Sequence, residues 1–396
     1  MPGPVFDRLV GQDSVEAELT AAAEAARRGG GSGMTHSWLF TGPPGSGRSV
    51  AALCFAAALQ CADPERPGCG VCHACTTTMA GTHADVRRVI PEGLSIGVDE
   101  MRGIVQLAAR RPSTGRWQVV LVEDADRLTE GAGNALLKVV EEPPARTVFL
   151  LCAPSVDPED ISVTLRSRCR HVHLVTPSTE AIARVLTARD GIDPDAAATA
   201  AACSGGHVGR ARRLATDEQA RARRDAALAL ADAARQPARA YEAAEELVKA
   251  ADEEAKELSA ARDERERAEL EIALGKGGTG KGSAGAVRGS AGALRDLERR
   301  QKSRATRTGR DALDRTLIDL AGLYRDALTL RFGAHSVPLT HPDRAERTAG
   351  LARRADPESL LHCVDAVLAC REALATNVKP RFAIAAMVAT LAAQPH

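Results

Sequence analysis

The hydrophobic pattern of the chain changes near Pro177. Before it, short apolar runs of strand length alternate with stretches of helical periodicity, and these runs cover residues 38–40, 86–90, 119–122, 148–151 and 172–175. This alternation is typical of a parallel sheet with crossover helices. After it, apolar residues recur every three or four positions, as in Leu313, Leu317, Leu320, Tyr324 and Leu328. This spacing predicts amphipathic helices for the rest of the chain.

A Gly-, Ser- and Ala-rich segment, residues 275–292, interrupts the helical half. Its composition predicts a flexible loop. Gly280-Lys281 within it does not indicate a second phosphate-binding loop, because Gly282 follows where Ser or Thr is needed and no strand precedes it.

A basic run overlaps the end of this segment. Residues 288–310 contain eight Arg or Lys (288, 295, 299, 300, 302, 304, 307 and 310) against Asp296 and Glu298. A solvated helical face is the simpler interpretation, and binding of DNA or of a partner protein is the alternative.

Length and composition narrow the class of protein. A chain of 396 residues predicts two or three domains. Lys plus Arg and Asp plus Glu each number 52, so overall charge does not indicate a nucleic-acid partner, and 3% aromatic residues disfavour stacking on bases. The N-terminus lacks the pattern of an export signal, and no apolar stretch is long enough to cross a membrane. We therefore expect a soluble, cytoplasmic protein without membrane partners.

A candidate phosphate-binding loop follows the first apolar run. The stretch GPPGSGRS, residues 42–49, matches the G-x-x-x-x-G-K-[ST] pattern except that Arg48 replaces the Lys. In such a loop the glycines bring the backbone close to phosphate oxygens, and the Lys reaches the β- and γ-phosphates. The candidate nucleotide-binding residues of this degenerate loop are Gly42, Gly45, Gly47, Arg48 and Ser49.

Four of the ten cysteines lie close together, and they are Cys61, Cys69, Cys72 and Cys75. Two overlapping C-x-x-C steps and a fourth Cys upstream supply four thiolates, enough to complete a tetrahedral shell. His73 is an alternative ligand that a complete Cys set makes unnecessary. The spacing predicts a closed, structural Zn²⁺ site in residues 61–75.

Two further motifs suggest ATPase chemistry. Glu123 and Asp124 follow an apolar strand, where P-loop ATPases place an Asp for Mg²⁺ and then a Glu that polarises water, but here the order is reversed. The alternative is an exposed strand end. Arg168, in Ser167-Arg168-Cys169, either pairs with a nearby carboxylate or acts as an arginine finger in a neighbouring nucleotide site.

Together these segments resemble the clamp-loader branch of the AAA+ ATPases. The resemblance covers at least residues 5–175 and rests on Val10-Gly11-Gln12, the phosphate loop, the Cys module, the motif NALLKVVEEPP at residues 134–144, and Ser167-Arg168-Cys169. It implies an α/β AAA+ module with a zinc-binding insertion in residues 1–175, a helical lid in 176–216 and an all-α collar in 217–396. In the lid, Gly209 falls at the position of the second sensor Arg, with Arg210 one residue late.

Departures from the motor pattern favour one type within this branch. The tau/gamma motor subunits resemble the full motif, whereas this chain has Arg48, the reversed acid pair, and Cys152-Ala153-Pro154 at the first sensor. This combination, with Ser167-Arg168-Cys169 intact, resembles delta-prime subunits of DNA polymerase III, as does the tail from Leu297 to Leu328, which is similar to actinobacterial chains.

The delta-prime resemblance implies a subunit of a nucleotidyltransferase holoenzyme without polymerase or efficient ATPase activity of its own. It implies a pentameric ring with delta and tau/gamma subunits that loads a sliding clamp on primed DNA at the replisome. Zn²⁺ is the implied structural cofactor, ATP and Mg²⁺ bind weakly if at all, and Arg168 acts in trans. Two alternatives stay open: an ATP-hydrolysing tau/gamma-like motor, and a zinc-dependent DNA-binding protein.

Overall fold

A computed structural model describes residues 3–29, 33–274, 283–376 and 378–394 of the chain. The chain forms two compact units, the first comprising residues 1–91 and 95–215 and the second residues 92–94 and 216–396. The lid and collar boundaries expected from the sequence stay predictions. Within the described ranges, no helix is long and apolar enough to cross a membrane.

A parallel sheet forms the centre of the first unit. Its five strands are β1 (Ser37–Thr41), β2 (Val86–Val89), β3 (Gln118–Val122), β4 (Thr147–Ala153) and β5 (Arg170–His173). They lie in the order β2-β3-β4-β1-β5, and every pairing is parallel. All five strands expected from the apolar runs are present, with ends shifted by up to two residues. The expected α/β class with a parallel sheet is confirmed.

Helices cover both faces of this sheet. They are α1 (Asp13–Arg27), α2 (Arg48–Gln60), α3 (His73–Ala80), α4 (Val98–Ala108), α5 (Glu130–Glu141) and α6 (Val163–Arg166). Strand residues alternate between two cores, because successive side chains of a strand point to opposite faces. Phe40 packs with α1 and α2 on one face, whereas Leu39 packs with α4 and α5 on the other.

Three shorter helices complete the first unit: α7 (Thr179–Asp190), α8 (Pro194–Ala202) and α9 (Val208–Thr216). They share a small core of their own that includes Ile182, Leu186 and Leu214. Ser178 and Asp193 accept hydrogen bonds from the first backbone N–H groups of α7 and α8. These side-chain caps fix where the two helices begin.

The described part of the second unit contains helices and their connections, and no strand. Its helices are α10 (Glu218–Ala233), α11 (Pro237–Ala273), α12 (Ser283–Arg331), α13 (Ala345–Arg354), α14 (Pro357–Ala375) and α15 (Pro380–Ala393). The apolar stripe predicted on α12 is confirmed, since Leu313, Leu317, Leu320 and Tyr324 are buried in the core that α12 shares with α11, α14 and α15. The loop predicted over residues 275–292 is wrong from Ser283 onward, where α12 begins. Residues 275–282 lie outside the described residues.

Candidate functional site

Three loops meet at the carboxyl edge of the sheet. Because β1, β3 and β4 run parallel, the residues that follow them emerge at the same edge, where open α/β sheets bind ligands. The Gly42 N–H donates to the Pro154 carbonyl at 3.1 Å, which joins the phosphate loop to the end of β4. The phosphate loop, the acid pair and the first-sensor position predicted from the sequence therefore lie together.

The phosphate loop has the backbone that its sequence predicts. Ser46 N–H donates to the Pro43 carbonyl at 3.0 Å, and α2 begins at Arg48, directly after the loop. A Cβ on Gly42 would lie 2.5 Å from the Leu174 carbonyl oxygen, so this close turn admits only Gly. The N-terminus of α2 adds unsatisfied N–H groups and a positive dipole end, both of which favour an anion.

Arg48 places a guanidinium beside this loop. Its Nη1 is buried and has no hydrogen-bond partner in the described structure. A buried donor without a partner costs about 1–3 kcal/mol, so an anionic oxygen at this position would be favoured. The residues present therefore fit a phosphate group, although Arg offers a planar fork in place of the point charge of Lys.

Glu123 is already engaged by an arginine. Arg88, on the neighbouring strand β2, donates from Nε to the Glu123 carboxylate at 2.8 Å and from Nη2 at 2.5 Å. A carboxylate paired in this way has its negative charge compensated by the guanidinium. Arg88 carried no signal in the sequence, because its role depends on the pairing of β2 with β3.

A third acid lies near the pair. Burial raises the pKa of Asp126, and the adjacent charge of Asp124 raises it further, while Arg48 acts in the opposite direction. The sequence signal that identifies this residue is a second Asp two positions after Asp124. The local field around Arg48 thus comes from more than the Glu123-Asp124 pair.

The first-sensor position carries a thiol. Cys152 is completely buried near the end of β4, and its burial raises the pKa of the thiol far above the usual range. The thiol is therefore neutral near pH 7. It offers only a weak hydrogen-bond donor where motors carry the hydroxyl of Thr.

The α8–α9 connection touches the phosphate loop. A Cβ added to Gly45, whose φ is +91°, would lie 2.7 Å from Cα and Cβ of His207. His207 Nδ1 accepts the Arg210 N–H at 3.2 Å. His207 thus packs against Gly45 of the loop. The second-sensor position expected at Gly209, with Arg210 one residue late, stays a prediction.

Gln12 ties the loop to the end of the edge strand. Its side-chain amide donates to the carbonyls of Val175 at 2.6 Å and Ser46 at 3.3 Å, and its oxygen accepts the Val175 N–H at 3.2 Å. Gln12 is 3% exposed. All but one of the hydrogen-bonding positions of its amide are used, so it fixes the loop against β5.

Arg168 lies at the amino ends of the strands, opposite to the carboxyl ends that carry the phosphate loop. It precedes β5, whose residue His173 is paired with Thr41 at the carboxyl end of β1. A four-residue strand separates it from the edge that carries the phosphate loop, about 13 Å of strand length. Its Nη2 lies 2.5 Å from Oε1 of Glu141, and Nη1 donates to the Thr164 carbonyl at 2.9 Å.

The four cysteines of the predicted zinc module converge. The Sγ atoms of Cys61, Cys69, Cys72 and Cys75 all lie within 4.8 Å of one another, and those of Cys61 and Cys72 are 3.9 Å apart. Sulfurs around one tetrahedral Zn²⁺ are about 3.8 Å apart, given Zn–S bonds of about 2.3 Å. The donor set and its spacing therefore fit a Cys₄ zinc site. His73 is not part of this cluster.

Backbone N–H groups orient these sulfurs. Cys61 Sγ accepts the Cys69 N–H at 3.4 Å, and Cys72 Sγ accepts the Cys75 N–H at 3.5 Å at the start of α3. A hydrogen bond from Cys75 lowers the pKa of the Cys61 thiol to about 4. The same contact raises the pKa of the Cys75 thiol, and burial raises that of Cys69. Because thiolates are the form that binds metal, zinc binding at this cluster would release protons.

Comparison with known families identifies two matching segments. Residues 22–178 match the family described as "DNA polymerase III, delta subunit". Residues 310–384 match the family described as "DNA polymerase III, delta subunit, C terminal". The first segment contains the sheet and the phosphate loop, and the second lies in the helical unit.

Curated relatives include two kinds of DNA polymerase III subunit. The chain is 36% identical over 182 residues to the subunit delta' of Escherichia coli, which covers 45% of this chain and 54% of the relative. It is 40% identical over 144 residues to the subunit delta' of Pseudomonas aeruginosa, which covers 36% and 43%. It is 35% identical over 188 residues to the subunit gamma/tau of Mycobacterium tuberculosis, which covers 46% and 31%. The matched part thus spans about a third to a half of these relatives.

Solved structures with a similar arrangement come from Thermotoga maritima. A DNA polymerase III gamma subunit-related protein aligns over 76% of this chain and 98% of its own, with a TM-score of 0.38 and 15% identity. The RuvB Holliday junction branch migration motor aligns over 53% and 62%, with a TM-score of 0.37 and 19% identity. With scores this low, neither likeness carries an argument about function.

Proposed function

We propose that this chain, which belongs to the family of DNA polymerase III clamp-loader subunits, is a non-hydrolysing subunit of the delta-prime type. In this role it helps a loader to place a sliding clamp on primed DNA, and it supplies Arg168 to the ATP site of a neighbouring motor subunit. The proposed assembly is a pentameric ring with delta and tau/gamma subunits, located in the cytoplasm at the replisome.

The contact between Arg88 and Glu123 carries the non-hydrolysing half of this proposal. A P-loop ATPase needs a carboxylate at the end of this strand to hold Mg²⁺ against the phosphates. Glu123 instead compensates the charge of Arg88 at 2.5–2.8 Å. With its first acid engaged, the site lacks a free carboxylate at the usual metal position.

Two further features of the same edge support weak binding over turnover. Arg48 supplies a positive charge to a phosphate, but its planar fork cannot follow the transferred phosphoryl group as the compact ammonium of Lys does. Cys152 at the first sensor is buried and neutral, so it contributes little to orienting water. The geometry is compatible with nucleotide binding by the glycines and Arg48. Mg²⁺ would add little to the affinity for nucleotide.

The position of Arg168 supports action in trans. It precedes β5, and therefore lies at the edge of the sheet opposite to the phosphate loop of its own chain. Its side chain is 36% exposed, so the guanidinium is accessible at the surface of the first unit. A finger with this placement reaches a nucleotide only when another subunit brings one to it.

The zinc module has a structural role in this proposal. Four sulfur ligands would complete the shell of Zn²⁺, and no coordination position would remain for water or substrate. Bound zinc would cross-link the ends of residues 61–75. The Val5 N–H donates to the Gly68 carbonyl at 3.1 Å, so this cross-link also supports the N-terminal segment.

Hydrolysis by the purified full chain tests the first half of the proposal. We expect no release of phosphate from ATP above the background, with or without DNA and clamp. The same chain, added to delta and tau/gamma subunits, should restore DNA-stimulated hydrolysis by the complex. Turnover of the isolated chain near 1 s⁻¹, abolished by Arg48→Ala, would instead make it a tau/gamma-like motor.

The alternative of a zinc-dependent DNA-binding protein is tested in the same preparation. If the four Cys are the DNA-binding element, then removal of zinc by a chelator abolishes DNA binding while the rest of the chain stays folded. We expect chelation to lower the stability of the chain. DNA binding should then fall only as far as the folded fraction of the protein falls, because the DNA contacts lie outside the Cys module.

A further inference from the structure

Helices α11 and α12 continue past the core of the second unit. The last core residue of α11 is Ala251, and the first of α12 is Ala312. We call the two continuing segments, residues 252–274 and 283–309, the arm. They lie between the two segments that match known families, 22–178 and 310–384. The function proposed above assigns no role to the arm.

Ionic contacts hold the two helices of the arm together. Arg304 donates from Nη2 to Asp263 and to Glu266, each at 2.6 Å. Gln301 donates to the Asp263 carbonyl at 3.0 Å, and it is 8% exposed. Burial raises the pKa of Glu266, but the contacts with Arg304 and Arg262 have the larger combined effect and lower the pKa to about 2. The acids of α11 thus compensate the positive charge of α12 where the two helices face each other.

The opposite side of α12 keeps its positive charge. Arg295, Arg299 and Lys302 are exposed and recur at steps of four and three, so they form one stripe along the helix. Around the helix axis they lie about 100° to 160° from the buried residues Leu297 and Gln301. We call this set the basic stripe.

Two acids, Asp296 and Glu298, lie on the same stretch of α12 as the basic stripe. Glu298 lies 3.9 Å from Arg267 of α11. Arg299 lies 3.4 Å from Asp296 in an ion pair whose two side chains are 80% and 67% exposed, a kind of pair that contributes little. Among the described residues, Arg295 and Lys302 make no ion pair. The three cations therefore extend over about 10 Å of helix with little compensation.

The chemistry of this face favours phosphate over an apolar partner. Arg presents a planar fork that matches phosphate oxygens, and Lys adds a point charge. Residues 292–309 of α12 include no exposed large apolar side chain of the kind that a protein interface or a membrane contact needs, whereas Leu258 and Ile272 of α11 are exposed. No aromatic residue is present there to stack on unpaired bases.

We propose that the basic stripe binds the phosphate backbone of duplex DNA. Duplex DNA carries one negative charge per about 1.7 Å of axis, so a 10 Å stripe meets several phosphates. Contacts of this kind carry no sequence information. The arm therefore binds duplexes of any sequence and holds the subunit close to DNA, independently of the nucleotide site and of Arg168.

The test measures binding of the full chain to a fluorescent 25-base-pair duplex over a series of salt concentrations. In the variant, Arg295→Glu, Arg299→Glu and Lys302→Glu are combined. We expect the affinity at low salt to fall at least about tenfold. The slope of log affinity against log salt should decrease by about 2.7, because each lost phosphate contact removes about 0.9.

A matched variant controls for net charge. It combines Arg239→Glu, Lys249→Glu and Lys256→Glu, three exposed basic residues of α11. Circular dichroism and thermal melting should show that both variants are folded, and an unrelated duplex should bind equally well. The proposal is overturned if wild type does not bind duplex DNA, or if the two variants lose affinity and slope equally. It is also overturned if the stripe variant keeps DNA binding and loses only contact with another loader subunit.

Discussion

The guanidinium of Arg168 lies 2.5 Å from the carboxylate of Glu141, an acid of the motif at residues 134–144. Two of the motifs that carried the family resemblance are therefore in direct contact, through the last residue of α5. Both side chains are partly exposed, at 36% and 45%, so the pair adds little to stability. Its consequence is positional, because Glu141 restricts the direction of the guanidinium.

Glu141→Gln tests this positioning role. We expect the variant to assemble normally and to reduce the DNA-stimulated hydrolysis of the loader by less than Arg168→Ala does. When both substitutions are combined, the loss should equal that of Arg168→Ala alone, because Glu141 acts only through Arg168. Additive losses in this double-mutant cycle would mean that Glu141 acts on another group.

Zinc content and thermal melting test the Cys module. Cys72→Ser should lose about one Zn²⁺ per chain and lower the melting temperature, because bound structural zinc contributes directly to the free energy of folding. The control is Cys370→Ser in α14, a buried thiol outside the cluster. It should keep its zinc even where it lowers stability. A wild-type chain that contains no metal and melts unchanged in a chelator would refute the site.

Gly45→Ala tests the contact between the phosphate loop and His207. Two effects disfavour a side chain here: the φ of +91°, and a Cβ only 2.7 Å from the His207 backbone. Backbone strain of this kind costs about 1–3 kcal/mol, so the melting temperature should fall by several degrees. Gly191→Ala, at φ +68° with nothing within 4 Å of its Cβ, isolates the strain alone. Equal losses in the two variants would show that the contact with His207 contributes nothing.

Much of the first unit could be predicted from local pattern. Each strand is a short apolar run next to a helix pattern, so the strands could be predicted without long-range information. The four Cys lie within 15 residues of one another, so the metal site could be predicted in the same way. The prediction of a loop at residues 275–292 is wrong from Ser283 onward. The Gly and Ser content of the segment indicated a loop, whereas residues 283–292 are helical and continue into α12. Composition alone does not report that continuation.

The contacts that define the site depend on tertiary pairing. Arg88 reaches Glu123 because β2 lies beside β3, although the two residues are 35 positions apart. His207 meets Gly45 through the folding of α8 and α9 back onto the phosphate loop. The division of charge on the arm likewise appears only when α11 and α12 are paired. No single window of the sequence contains these relationships.

Dependence of nucleotide binding on Mg²⁺ tests the role of Arg88. Because Glu123 is engaged, removal of Mg²⁺ by a chelator should change the affinity of the chain for ADP by less than about threefold, a difference below 1 kcal/mol. Arg88→Ala should release Glu123 and make the affinity more dependent on Mg²⁺. Calorimetric titration measures both. Loss of all binding by the wild-type chain without Mg²⁺ would show that the acids hold a metal as in a motor.

The most direct measurement of the central claim is ATP turnover by the reconstituted loader that contains Arg168→Ala. An arginine finger stabilises charge in the transition state, so we expect unchanged assembly and nucleotide affinity with a lower DNA-stimulated rate. The loss should be partial if other ATP sites of the ring work independently. A control complex with Arg166→Ala, whose side chain bonds to its own Val156 carbonyl, should hydrolyse at the wild-type rate once folded. Wild-type turnover and clamp loading by the Arg168→Ala complex would contradict the account.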